Sequence, residues 1–121
     1  MIDARVLALC KQKLLQTKAD LMNRFQVHVM EFRERESGGD EADQTVSLLN
    51  ENQLFITHQR LRHQLAEIES ALARIERGTY GICEETEEPI ENERLLAIPW
   101  TTLSIEGAEI RESTSARRDR G

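Results

Sequence analysis

A chain of 121 residues with only five aromatics, Phe25, Phe32, Phe55, Tyr80 and Trp100, is poorly equipped to enclose a large globular core. Its formal net charge of −6 argues against nucleic acid as the partner of the whole protein, and the basic cluster Arg117, Arg118 and Arg120 reads as a solvated tail. There is no long apolar run and no leader-like start, and two cysteines, Cys10 and Cys83, make no disulfide framework, so a cytoplasmic protein without membrane contact is expected.

Leu, Ala, Glu, Arg and Gln dominate the middle of the chain, as they do in long helices. Residues from about Ile2 to Glu36 read as one helix. Leu7, Cys10, Leu14, Thr17 and Leu21 follow the spacing of a coiled-coil seam, and Phe25, His28 and Phe32 continue it after one extra step of four. Ser37-Gly38-Gly39 then breaks the helix. A second helix is expected from near Asp40 to Arg77, with the seam Leu54, His58, Leu61, Leu65, Ile68, Leu72 and Ile75, and with Gly78 as its stop. Two long helices joined by so short a turn must run antiparallel. At ~1.5 Å per residue each arm would be roughly 50 Å long, a shape suited to reaching into something narrow. His28 and His58 both fall on the seam. Counted outward from Gly39 they lie at different depths, so they are expected to tune the register rather than face each other or share a metal. His63 falls off the seam.

From spacing alone, Asp40 is a helix N-cap and Asp43 favours the positive end of the helix dipole. Arg60 and Arg62 read as part of an ordinary charged helix face. Thr79 to Thr101 is irregular, with β-prone pieces around Tyr80–Ile82 and Glu88–Ile90, and with Pro89 and Pro99 ending local structure. Leu103 to about Arg111 reads as a closing helix, and residues 114–121 as a flexible tail.

The stretch from Gly78 to Ile110 has the frame of a zinc ribbon without its ligands. Cys83 and Thr86 stand at the spacing of a C-x-x-C knuckle, and Ser104 and Gly107 stand at the same spacing about twenty residues on. Structural zinc needs four converging ligands, and one thiol cannot hold it, so zinc is expected to be absent. Packing must then serve instead, through Tyr80, Ile82, Ile90, Leu95, Leu96, Ile98, Trp100, Leu103, Ile105 and Ile110. Glu84 and Glu85 flank Cys83 and are expected to raise its pKa, which favours an inert thiol.

Together, Gly81-x-Cys83-x-x-Thr86, Pro89-Ile90, Glu93-Arg94-Leu95, Pro99 and Leu103-Ser104-Ile105 resemble the DksA/TraR family of bacterial transcription factors. Upstream, Asp40-Glu41-Ala42-Asp43-Gln44-Thr45 matches that family's D-x-x-D-x-A motif, at a distance from Cys83 that needs no gap. The resemblance spans nearly the whole chain. It implies a mainly α fold: a long antiparallel coiled-coil hairpin over residues 2–78 with its tip at 37–45, then a metal-free, zinc-ribbon-like domain with a C-terminal helix over 79–113.

The resemblance also implies a function. It points to a regulator of transcription initiation that binds bacterial RNA polymerase directly, not DNA, and performs no chemistry. The hairpin would enter the secondary channel with Asp40, Asp43 and Thr45 at the tip, Arg60 would grip the channel rim, and Arg62 is its neighbour. Thr45 replaces the family's alanine, which would weaken or retune the tip contact. Basic residues used by members that respond to ppGpp correspond to Glu67, Ile98 and Ala108 here. Without that charge, and with Arg94 alone retained, a weak or absent ppGpp response is expected. A monomer is expected. Two other readings stay open: a coiled-coil adaptor or channel blocker that does not regulate promoters, and a thiol redox sensor centred on Cys83. An enzyme is disfavoured, because no nucleophile–base pair or metal cage is visible.

Overall fold

The computed structural model describes residues 2–37 and 44–119. The order is α1 (Ala4–Ser37), α2 (Gln44–Arg77), α3 (Asn92–Ala97) and α4 (Ile105–Asp119), so the protein is mainly α. Two compact units are built from these elements: Thr17–Ala66, and Met1–Gln16 with Glu67–Gly121. None of the described helices is long and apolar enough to cross a membrane.

In the Thr17–Ala66 unit, α1 and α2 run antiparallel. The Phe25 ring lies 4.7 Å from that of His58, and His28 Nε2 lies 2.6 Å from the Leu54 carbonyl oxygen, so numbers rise on one helix as they fall on the other. Leu21 and Leu61 are the buried seam residues here, and Phe25, His28, Leu54 and His58 are half-buried. The two histidines do meet, contrary to the reading from the turn. Their ring centroids are 6.2 Å apart and the planes are stacked at 30°. Counted from the helix ends at Ser37 and Gln44, His28 and His58 differ in depth by only about one and a half turns.

In the other unit the Asp3 carboxylate accepts the Arg5 N–H at 3.1 Å and caps α1. Cys10 and Leu14 of α1 pack with Ile68 and Ala71 of α2 and with Tyr80, Ile90 and Leu95 to form the core. Gly78, at φ 76°, ends α2. The Thr79 N–H reaches the Arg74 carbonyl at 3.0 Å and the Gly78 N–H reaches that of Ile75 at 3.2 Å, the two bonds of a Schellman stop.

The two β-prone pieces meet in one antiparallel bridge, Ile82 with Pro89. It is flanked by Cys83 N–H to Glu88 O at 2.9 Å and Ile90 N–H to Gly81 O at 2.8 Å. Three expected core residues are not core: Ile82, Ile105 and Ile110 are exposed. The helix α4 runs to Asp119, well past Arg111, through most of the stretch expected to be a tail. The hydroxyl of Thr114 donates to the Ile110 carbonyl at 3.0 Å, which accommodates this residue of the expected tail within the helix.

Candidate functional site

Asp40 and Asp43 lie outside the described residues, and Thr45 stands in the first turn of α2 as described from Gln44. Arg60 is exposed and lines a groove of about 530 Å³ with Arg24, Glu31 and Gln64. Its neighbour Arg62 lines a different groove. The two grooves adjoin at His28, which lines both.

The four knuckle positions do converge, but on a sulfur rather than around a vacancy for an ion. Cys83 is 1% exposed, and a Cβ built on Gly107 would collide with its Sγ. The Gly107 N–H donates to Ser104 Oγ at 3.0 Å, and the Ala108 N–H donates to Ser104 O at 2.9 Å. Ser104 is thus the N-cap of α4. The Glu91 carboxylate takes the next free donor, the Ile105 N–H, at 3.2 and 3.3 Å. Thr86 Oγ1 accepts the Glu88 N–H at 3.3 Å. The donor set is one sulfur and two hydroxyls already engaged with backbone, with no side chain at Gly107. That does not fit zinc, which takes thiolate, imidazole or carboxylate. Among the described residues, no cluster of three His, Cys, Asp or Glu side chains could hold a metal. The N-cap was legible in principle, as a serine just before a helical run, but Ser104 at a ligand's position invited the other reading.

Burial pushes the Cys83 thiol up, but hydrogen bonds from Ser104 and Thr86, through side chain and backbone, outweigh it and draw the pKa down to about 6. The N-terminal end of α4 beside the sulfur acts in the same direction. The flanking glutamates do not raise it as expected, because they turn to another partner. Arg111 Nη2 lies 3.4 Å from Glu84 Oε2, and Arg111 Nε lies 3.2 Å from Glu85 Oε2. A thiolate absorbance titration should therefore show one group ionising near pH 6, absent in Cys83→Ala and moved upward in Ser104→Ala. Because the folded pKa lies below the unfolded one, the stabilising contribution is complete above the unfolded thiol's range and disappears as pH falls through about 6. Melting temperature should rise with pH across that window, less steeply in Cys83→Ala.

Polar side chains hold the loops that a metal would otherwise tie. Tyr80 Oη donates to Pro99 O at 2.8 Å, and Arg94 Nε donates to Leu103 O at 2.8 Å. Lys13 Nζ donates to Leu96 O at 2.6 Å, near the end of α3, and the Cys10 thiol reaches Leu95 O at 3.5 Å. Burial, then the neighbouring Cys10 thiol, pushes the Tyr80 hydroxyl above its ordinary range, so it stays a donor. Among the described residues, no buried side-chain polar atom lacks a partner.

The family described as prokaryotic dksA/traR C4-type zinc finger matches residues 78–113. The RNA polymerase-binding transcription factor DksA of Caulobacter vibrioides is 38% identical over 120 residues, covering 98% of this chain and 82% of that protein. The solved structure of transcription factor DksA2 from Pseudomonas aeruginosa superposes with a TM-score of 0.87 at 34% identity, over 98% of this chain and 89% of that one. The Chlamydia trachomatis Dks structure shares the fold, with a TM-score of 0.56 at 24% identity. With relatives this similar across almost its whole length, the chain belongs to the DksA/TraR family, whose members are transcription factors rather than enzymes.

Proposed function

We propose that this protein regulates transcription initiation by binding bacterial RNA polymerase through its secondary channel, without zinc and without the family's globular-unit ppGpp contacts. The carrying observation is 38% identity, over 98% of the chain, to a protein named for binding RNA polymerase. The antiparallel pairing of α1 and α2 supports the reading, since a two-helix arm can enter a channel that a globular domain cannot. In this reading Asp40, Asp43 and Thr45 form the tip, and Arg60, exposed on α2, meets the channel rim. The protein acts as a monomer in the cytoplasm, and a net charge of −6 keeps it from competing for promoter DNA.

The test is binding of the purified protein to RNA polymerase, with a known secondary-channel factor as competitor. Competed binding at submicromolar concentration is expected. Absence of binding at tens of micromolar would sink the reading and leave a helical adaptor.

Zinc independence is supported by the packed sulfur of Cys83, which leaves Gly107 no room for a ligand side chain. A strong chelator is expected to leave melting temperature and polymerase binding unchanged, and atomic absorption of untreated protein to find no stoichiometric zinc. A melting temperature that falls on chelation would overturn this. The positions matched to the family's ppGpp contacts are Glu67, Ile98 and Ala108, none of them basic. Adding ppGpp should therefore change the protein's effect on polymerase by no more than about twofold, since a polyphosphate needs paired cations.

A further inference from the structure

The Thr17–Ala66 unit carries a second groove, of about 490 Å³, that the reading above does not use. Its apolar wall includes Leu54 and Phe55, and Phe55 is 60% exposed despite being the largest side chain there. Around that wall stand Arg33 and His28 from α1 and Arg62 and His58 from α2. Among the described residues no Asp or Glu lines the groove, whereas Glu31 lines the groove of Arg60. Its described charged side chains are thus all basic, on a chain with net charge −6. The His28 ring is fixed by its 2.6 Å contact with Leu54 O and stacks on His58 at 6.2 Å, so the imidazole pair is held in place.

We propose that this groove binds a small organic anion: an aromatic body carrying a phosphate or carboxylate group. The chemistry is complementary in both halves. Guanidinium groups pair with phosphate and carboxylate by charge-assisted, often bidentate, hydrogen bonds. An exposed phenyl ring beside apolar wall atoms offers a face for an aromatic body. The volume lies within the usual range for small-molecule sites. The two arginines come from different helices and stand toward opposite ends of the groove, so a ligand whose anionic group meets one of them while its aromatic body lies along the wall would bridge α1 and α2 and raise the melting temperature as it saturates. The proposal stands independently of polymerase binding.

The experiment uses the full chain and 1-naphthyl phosphate, followed by calorimetry. Saturable binding is expected. The double variant Arg33→Gln, Arg62→Gln should weaken it at least about tenfold, the loss expected for removing charged hydrogen bonds. Arg24→Gln, Arg60→Gln in the adjoining groove should weaken it by no more than about threefold, because these two arginines do not line the groove of Phe55 and only His28 is common to both. Independently of any variant, the ring signals of His28 and His58 should shift in NMR spectra on titration, and those of His63 should not. No saturable binding at millimolar ligand overturns the proposal. So does equal weakening by the two double variants, which would mark a diffuse ionic effect, or a set of histidine shifts that spares His28 and His58.

Discussion

Gly107→Ala is expected to destabilise the globular unit by about 2 kcal/mol, within the range for overpacking a core. On propensity alone the change should help, since glycine inside a helix costs about 1 kcal/mol relative to alanine. Gly107 has no positive φ that would forbid a side chain. The obstacle is Cys83 Sγ, which sits where the new methyl group must go. The sulfur cannot swing away without losing its hydrogen bonds with Ser104 and Thr86. Most of the loss should therefore vanish once the sulfur is gone. In a Cys83→Ala background, Gly107→Ala should be close to neutral, as the gain in helix propensity is then set only against Ser104 Oγ and Glu85 Cβ, at 3.3 and 3.4 Å from the new methyl group. Chemical denaturation of the four proteins of this cycle measures the coupling. Additive losses would mean that the sulfur and the glycine do not compete for one space, and the packed account of the lost zinc site would fail.

That competition explains why some of this chain was readable in advance and some was not. The helical seam was legible because period alone fixes it: Cys10, Leu14, Leu21, Leu61 and Ile68, chosen by spacing, are all buried. The stop at Gly78 was legible because only a residue tolerant of positive φ suits that position. Depth along the hairpin was harder. It depends on where the two helices end, and counting from Ser37 and Gln44 rather than from Gly39 brings His28 nearer the level of His58. The ribbon offered no period, so hydrophobicity alone placed Ile82, Ile105 and Ile110 inside when their side chains face out. The Cys83 environment was misread for a related reason. Glu84 and Glu85 are neighbours in sequence, but both carboxylates are directed to Arg111, while the groups that set the thiol's pKa arrive from Ser104, about twenty residues on, and from Thr86.

The globular unit also shows what joins the two segments that carry Cys83, Thr86, Ser104 and Gly107. A zinc ion would cross-link two knuckles through one centre. Here the same two segments are joined by several weaker ties: the buried sulfur, the Ser104 cap, the Glu91 carboxylate on the Ile105 N–H, and Arg94 on the Leu103 carbonyl. Each such bond is worth on the order of 1 kcal/mol net. Their sum is spread over many residues, so no single loss should unfold the unit as removal of a structural metal would.

Asp43→Asn should keep polymerase binding within about threefold while reducing the effect on promoter complexes by at least about tenfold, a loss of about 1.4 kcal/mol at the site of action. The substitution is chosen to separate two roles that the sequence leaves superimposed. Asparagine matches aspartate in size and keeps a side-chain oxygen near the helix start, so locally only the interaction with the helix dipole is lost, about 0.3–1 kcal/mol. What disappears is the negative charge. If Asp43 acts through that charge at the far end of the hairpin, contacts elsewhere, including Arg60, still hold the complex and only the outcome changes. Promoter-complex lifetimes with saturating protein measure the effect, and competition with a secondary-channel factor measures binding. An unchanged effect would leave Asp43 a structural residue and favour a protein that merely occupies the channel. Loss of binding together with the effect would make the tip an anchor rather than the active element.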